Sequence, residues 1–301
     1  IRTVRMLDET NGWAAGDNGV LLRTRDGGAS WHSVDTSPIA EMSGFDFTSI
    51  ALVGDRLYMA GNPGTYLFSL AVDSGELQRH RTPTRTRIRK IHFASPTHGW
   101  AAGDLGCILA TRDAGVTWSV QRKGADRVGA LMISVHPEQL PLEMIAQFSG
   151  EENIVTSALC LRSKAGVDLA AANSRLGGSI VETIPGDVDF DSSEMVRRLV
   201  REIRAQQPNI VVANEDPTGQ VNLTRLLREA IHKAADRNQF VTQLTENGLT
   251  TWQVDRLVYT TPQLDAEIRI DSQKLLPRLG HLVEDYVAIS RAQLGLPIRY
   301  G

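Results

Sequence analysis

The sequence predicts an all-β part, a partial β-propeller over residues 1–124, followed by an α/β domain with a mostly parallel, Rossmann-like sheet over residues 125–301. Three observations predict this. A motif recurs at the spacing of propeller blades. Later, apolar runs of strand length alternate with amphipathic helical stretches, and one pattern gives way to the other near Gly124.

The repeat opens the chain. Gly12-Trp13-Ala14-Ala15-Gly16-Asp17 recurs as Gly99-Trp100-Ala101-Ala102-Gly103-Asp104, and each copy leads into an apolar run, Val20-Leu21-Leu22 or Cys107-Ile108-Leu109. Each run then reaches Thr-Arg-Asp-x-Gly-x-Ser/Thr-Trp, from Thr24 to Trp31 and from Thr111 to Trp118. A more divergent copy, Tyr58-Met59-Ala60-Gly61-Asn62-Pro63-Gly64-Thr65, lies between them. Gly16 to Gly61 is 45 positions and Gly61 to Gly103 is 42, within the ~40–45 residues of one four-stranded blade. In each motif the aspartate is expected to accept backbone N–H bonds, the glycine to supply a positive φ, and the tryptophan to pack between blades. The middle copy keeps Asp73 and Gly75 but has Gln78 at the tryptophan position. About three blades are present, whereas closure takes ~4–8, so the remainder is expected upstream or in another chain. The motif resembles the Asp box of BNR/sialidase repeats, and the G-W-A-A-G-D lead-in resembles photosystem II assembly-factor-like propellers. That resemblance implies structural roles for Asp26 and Asp113, not catalytic ones.

In the second part, Val128–Val135 reads as a buried parallel strand ending on His136-Pro137-Glu138, and Asn153–Leu161 as another. Asp191-Ser192-Ser193-Glu194 is a helix start, followed by Met195, Val196, Leu199 and Ile203 on one face. Pro208 stops that helix before the strand Asn209–Ala213. A second helix carries Leu223, Leu226, Leu227, Ala230, Ile231 and Ala234. Ser272–Leu294 is expected to form a helix against the sheet. Ligands of such sheets bind at the carboxyl ends of the strands, which puts His136-Pro137-Glu138 and Asn214-Glu215-Asp216 at the expected site.

Residues 127–261 resemble the PIG-L/LmbE family, zinc-dependent deacetylases of N-acetylglucosamine-type substrates. The resemblance rests on the strand ending at His136, on Ala170–Gly178 (AAANSRLGG), on IRAQQPNIVVANEDPTG with the helix after it, and on Trp252–Leu257. The family's first motif, H-P-D-D-E, supplies a histidine ligand, a base and an aspartate ligand. Here it reads His136-Pro137-Glu138-Gln139-Leu140, so the resemblance implies His136 as the surviving metal ligand and Glu138 in the base position. Gln139, a neutral amide, replaces the ligand aspartate. The second motif, roughly G-H-P-D-H, aligns with Gly219-Gln220-Val221-Asn222-Leu223 and has no imidazole. Pro141-Leu142-Glu143-Met144 stands where a glycine-rich helix start is usual. A catalytic zinc needs about three protein ligands, so no cofactor is expected. The expected function is a non-catalytic scaffold or glycan-binding module, with Asn214 and Asp216 as candidate substrate-binding residues. The alternative is an active N-acyl-sugar deacetylase, with zinc held by His136, Glu138 and Glu215 or Asp216.

Composition sets the remaining expectations. The 301 residues are 42% hydrophobic and 22% charged, with a formal net charge of −3 and no long basic run, which disfavours nucleic acid as partner. The basic stretch Arg79–Lys90 reads as a solvated loop and strand. No apolar run reaches the ~20 residues of a membrane helix. A protein or glycan is the expected partner of the propeller face. Cys107 and Cys160 read as buried free thiols. The chain opens on Ile1 within a strand pattern and reads as truncated, so any targeting segment would lie upstream. The family resemblance implies an extracytoplasmic setting.

Overall fold

The computed structural model describes residues 1–123, 128–136, 139–150, 154–161, 180–183, 191–214, 222–260, 269–294 and 296. The predicted change of pattern at Gly124 falls outside these. Two compact units emerge. The first comprises Ile1–Asp126 together with Arg237–Thr251, and the second comprises Arg127–Asp236 and Trp252–Gly301. The segment Arg237–Thr251 therefore packs with the blades, although the chain order sets it among the α/β elements.

The first unit holds three four-stranded antiparallel sheets, each with its strands in chain order. They are β1 (Thr3–Met6) to β4 (His32–Ser33), with β2 (Gly12–Ala15) and β3 (Leu21–Thr24) between; β5 (Asp46–Val53), β6 (Arg56–Asn62), β7 (Tyr66–Ala71) and β8 (Leu77–Arg81); and β9 (Ile88–Phe93), β10 (Gly99–Gly103), β11 (Ile108–Thr111) and β12 (Ser119–Arg122). These sheets resemble propeller blades. Neighbouring blades share two apolar layers. Trp13, Phe45, Phe47 and Phe68 build the first, and Tyr58, Leu67, Ile91 and Trp118 build the second. The same repeat position meets two fates. Trp13 faces the second blade and is 3% exposed, whereas Trp100 is 38% exposed and donates its indole N–H to Gln121 Oε1 at 3.0 Å.

Both turn motifs fold as the residue types require. Asp26 Oδ1 accepts from the Ser30 amide at 2.9 Å and from Thr24 Oγ1 at 2.8 Å, and the Gly28 amide donates to Thr24 Oγ1 at 2.9 Å. Around Asp113 the amide of Thr117 (2.9 Å), Thr111 Oγ1 (2.8 Å) and the amide of Gly115 repeat the pattern. Gly27 sits at φ 72°, and Ala114 occupies the matching position at φ 58°. Trp118 closes its motif edge-on to Phe93, with centroids 6.0 Å apart. In the middle blade Gln78 instead accepts from Arg56 Nη1 at 3.0 Å, so a polar contact stands where the other motifs have an indole.

The second unit is built on a five-stranded parallel sheet. Its strands are β13 (Ala130–Ser134), β14 (Thr156–Cys160), β15 (Ile180–Thr183), β16 (Ile210–Asn214) and β17 (Arg256–Thr260), in the order β15-β14-β13-β16-β17. The order reverses between β13 and β16, the arrangement of a doubly wound sheet. Residues alternate between faces. Ala130 and Met132 lie in one core with Ala158, Val212 and Ile145 of helix α1 (Leu142–Gly150). Leu131, Ile133, Val211 and Ala213, equally buried, point the other way. Helix α2 (Ser192–Gln206) starts where expected, with Asp191 accepting from the Ser193 amide, and ends on Gln207 at φ 51° just before Pro208. It packs against α3 (Leu223–Ala235). A short helix, α4 (Val241–Thr245), belongs to the blade unit.

The C-terminal stretch departs from expectation. Ser272–Leu294 is not one helix: a hairpin, β18 (Leu275–Leu276) with β19 (His281–Leu282), precedes α5 (Val283–Gln293). Gly280 at φ 67° breaks the helical pattern, while Leu276, Val283 and Tyr286 still enter the core beside α1. His281, read as helical, lies in β19. Cys107 and Cys160 are buried and free.

Buried charge is the feature that helical periodicity hid. Arg204 of α2 is fully buried. Its Nε donates to Ala234 O at 3.2 Å, and its Nη2 donates to Lys233 O at 3.0 Å and Asp236 O at 2.8 Å. One guanidinium thus caps the carboxyl end of α3. Burial pushes its pKa down, opposed by Asp236, and the carbonyl partners compensate for lost hydration.

Two expectations follow. Arg204→Met should destabilise the second unit by about 3 kcal/mol by stranding those carbonyls, readable in urea unfolding. The Asp113 carboxyl is held at about 2, below its ordinary 3.8, chiefly by the hydroxyl and amide of Thr117. A depressed carboxyl pKa stabilises above the unfolded value and loses that contribution as pH falls through the folded one. The stability gap between the wild type and Asp113→Asn should therefore be full above about pH 4 and shrink toward pH 2.

Candidate functional site

The reversal of strand order between β13 and β16 creates a crevice at their carboxyl ends, because the chain leaves these adjacent strands in opposite directions. β13 runs into His136 and β16 ends on Asn214, so the sheet itself brings these two predicted residues to one edge. Both are half-buried. Glu138 and Asp216, the predicted base and second binding residue, lie outside the described residues. So do Glu215, Gly219–Val221 and Ala170–Gly178.

Gln139 organises what is described. Its amide N–H donates to His136 O at 3.0 Å, while the His136 amide donates back to Gln139 Oε1 at 3.0 Å. Ser134 Oγ adds a second donor to His136 O at 2.9 Å. From the neighbouring strand, Asn214 Nδ2 donates to Gln139 O. His136 and Gln139 are thus bonded to each other, and Gln139 is tied to β16. On these two residues a buried polar atom each, His136 Nδ1 and Asn214 Oδ1, has no hydrogen-bond partner among the described residues.

The two described positions of the second motif are equally structural. Asn222 Oδ1 accepts from the Arg225 amide at 2.9 Å and caps α3. Leu223, where the resemblance expects a catalytic histidine, is 2% exposed and sits in the core with Leu226 and Leu227. An asparagine just before an apolar stripe is a legible helix-start signal. The turn-closing role of Gln139 has no such signal, since its partners are a backbone amide and a residue 75 positions away.

A three-ligand zinc does not fit the described residues. At the motif positions these offer one imidazole, Gln139 Oε1 is engaged by an amide, and Leu223 has no donor. Among the described residues, no group of three or more His, Cys, Asp or Glu side chains is placed to hold a metal ion. No helix among them is long and apolar enough to cross a membrane. The basic stretch Arg79–Lys90 is only partly solvated, since His80, Thr82, Thr86 and Arg87 are buried while Arg81 and Lys90 are exposed.

Residues 1–78 match the sequence profile of the family described as photosynthesis system II assembly factor YCF48. No match is found among curated proteins. Among solved structures, the chain is similar to YCF48 bound to a D1 peptide, at 21% identity and a TM-score of 0.37, covering 44% of this chain and 42% of that one. It is similar to YCF48 from Cyanidioschyzon merolae at 20% identity and a TM-score of 0.35, covering 41% and 40%. A third is N,N'-diacetylchitobiose deacetylase from Pyrococcus horikoshii complexed with its inhibitor MPG, at 18% identity and a TM-score of 0.41, covering 55% of this chain and 70% of that one. The chain spans about two-fifths of the length of the two YCF48 structures.

Gln139→Ala removes the acceptor of the His136 amide. The expected result is faster hydrogen exchange over the described loop residues His136, Gln139 and Leu140, with a loss of global stability of only about 1 kcal/mol.

Proposed function

We propose that this chain is a binding protein: blades that take a protein or glycan partner, joined to a PIG-L/LmbE-like domain that has lost its hydrolytic zinc. One observation carries the reading. Of the motif positions the structure describes, Gln139 closes a turn, Asn222 caps a helix and Leu223 fills a core. Side chains committed to backbone closure and packing are withdrawn from ligand duty, and without a metal nothing acidifies a water or polarises an amide carbonyl. What remains at the crevice is His136 with Asn214, a pair suited to hydrogen-bonding sugar hydroxyls. For the blades, the match of residues 1–78 to an assembly-factor family favours a protein partner. Asp216 would join Asn214 in ligand contact, and no cofactor is required.

One observation favours the alternative, an N-acyl-sugar deacetylase with an altered site in which Glu138 serves as base. The His136 Nδ1 atom is buried without a partner among the described residues, as a ligand nitrogen would be before metal binds.

The expected outcome is protein that carries zinc well below one equivalent by elemental analysis and leaves N-acetylglucosamine and its oligomers intact. It should still retain chitooligosaccharide on a binding column, and Asn214→Ala should weaken that retention. Stoichiometric zinc that disappears in His136→Ala, together with deacetylation, would sink the binding-protein reading.

A further inference from the structure

The middle blade meets the third through one face of its sheet. Register places Tyr58 of β6 opposite Ser69 of β7, Ser69 opposite Gln78 of β8, and Leu67 opposite His80. Tyr58 and Leu67 belong to the apolar layer shared with the third blade, so Ser69 and His80 lie on that same face. His80 is only 7% exposed. Its chain neighbours Arg79 and Arg81 alternate to the opposite face, where Arg79 lies over the Tyr66 ring.

Both sides of the imidazole are engaged. Nε2 is 2.9 Å from Ser69 Oγ, and the ring also hydrogen-bonds the backbone of Val116 in the third blade. That backbone contact favours the charged ring, so its acceptor is the Val116 carbonyl. Ser69 Oγ accepts from Arg56 Nη1 at 3.1 Å, which leaves its hydroxyl proton for Nε2. The network therefore fits a neutral ring that donates from Nδ1 to Val116 and accepts at Nε2 from Ser69. Val116 belongs to the Asp113 turn, and the middle blade grips that turn a second time, through the Tyr58 hydroxyl donating to Ala114 O. Gly115 lies so close that an added Cβ would be 2.7 Å from Tyr58 Cε1.

We infer that His80 is an acid-released latch between the second and third blades: neutral, it holds the Asp113–Trp118 turn, and protonated, it lets that turn open. A proton on Nε2 turns the Ser69 hydroxyl away and leaves Ser69 Oγ facing two donors, His80 and Arg56. The charged groups facing the ring are Arg56, itself paired with Glu76 at 3.6 Å, and Asp113, whose oxygens are bonded to Thr111 and Thr117. Burial lowers the His80 pKa below its ordinary 6.5; the Val116 carbonyl and Asp113 oppose the shift, and Arg56 adds to it. Above the ordinary value the ring is neutral whether the turn is closed or open, and the latch contributes fully. As pH falls below it, the opened, hydrated ring takes up a proton first, so opening grows easier until the buried ring ionises too. This goes beyond partner binding, because the surface of the third blade becomes a function of pH.

The test is amide exchange of the full chain followed by NMR, with protection corrected for the intrinsic pH dependence of exchange. The two Asp boxes supply a matched pair. The amides of Gly115 and Thr117 donate to Thr111 Oγ1 and Asp113, and those of Gly28 and Ser30 donate to Thr24 Oγ1 and Asp26. His32, beside Ser30, is exposed, and both turn carboxyls titrate far below the range of the experiment. From about pH 7.5 to about pH 5.5, protection at Gly115 and Thr117 should fall about threefold or more, while that at Gly28 and Ser30 should hold. His80→Gln keeps a neutral donor and acceptor at every pH, and protection at Gly115 and Thr117 should then stay level. In the wild type the His80 ring protons should titrate below the ordinary value, a reading that needs no variant. The inference is overturned by a His80 ring that titrates at or above that value, or by protection that does not change with pH. An equal loss in both turns, or a loss that persists in His80→Gln, overturns it as well.

Discussion

The central strand β13 is hydrogen-bonded along its length by parallel partners on both sides, β14 and β16. Parallel strands in register end together, so residues just past their ends are delivered to one edge of the sheet. Because the order reverses between β13 and β16, the covering helices diverge there and leave a crevice. His136 and Asn214 are neighbours for this reason alone, 78 positions apart in the chain. The bond from Asn214 to the Gln139 carbonyl then ties the residues past β13 to the end of β16.

The blade unit follows a different constraint. A four-stranded antiparallel sheet with two apolar faces is not stable alone, so it needs a neighbour on each side. The middle blade has both neighbours, and Phe47 and Phe68 on one side with Tyr58 and Leu67 on the other are almost entirely buried. Identical residues of the outer blades meet different surroundings, since Trp13 is covered by the middle blade and Trp100 is exposed. Ion pairs recur with the repeat too: Arg2 meets Asp17 and Arg89 meets Asp104, each across 15 positions.

The site was legible in part. A histidine at a strand end and an asparagine at another could be placed at the crevice by topology, and the departures from the deacetylase motifs could be read letter by letter. What those departures do could not be read. That Gln139 folds back on the His136 amide depends on a turn closed in three dimensions. The burial of His80, Thr82, Thr86 and Arg87 stayed hidden because a basic stretch looks solvated until strand register shows which of its residues turn inward.

The sequence by itself determined the blade repeat, the turn chemistry of Asp26 and Asp113, the caps of α2 and α3 and the apolar stripes of both helices. All of these are local, set by residue type and spacing within a few positions. Only the tertiary structure decided that Arg204 caps another helix, that residues 272–282 form a hairpin and turn before α5, and that Arg237–Thr251 packs with the blades. Each of these depends on partners distant in sequence, where burial and unmet carbonyls outweigh local propensity.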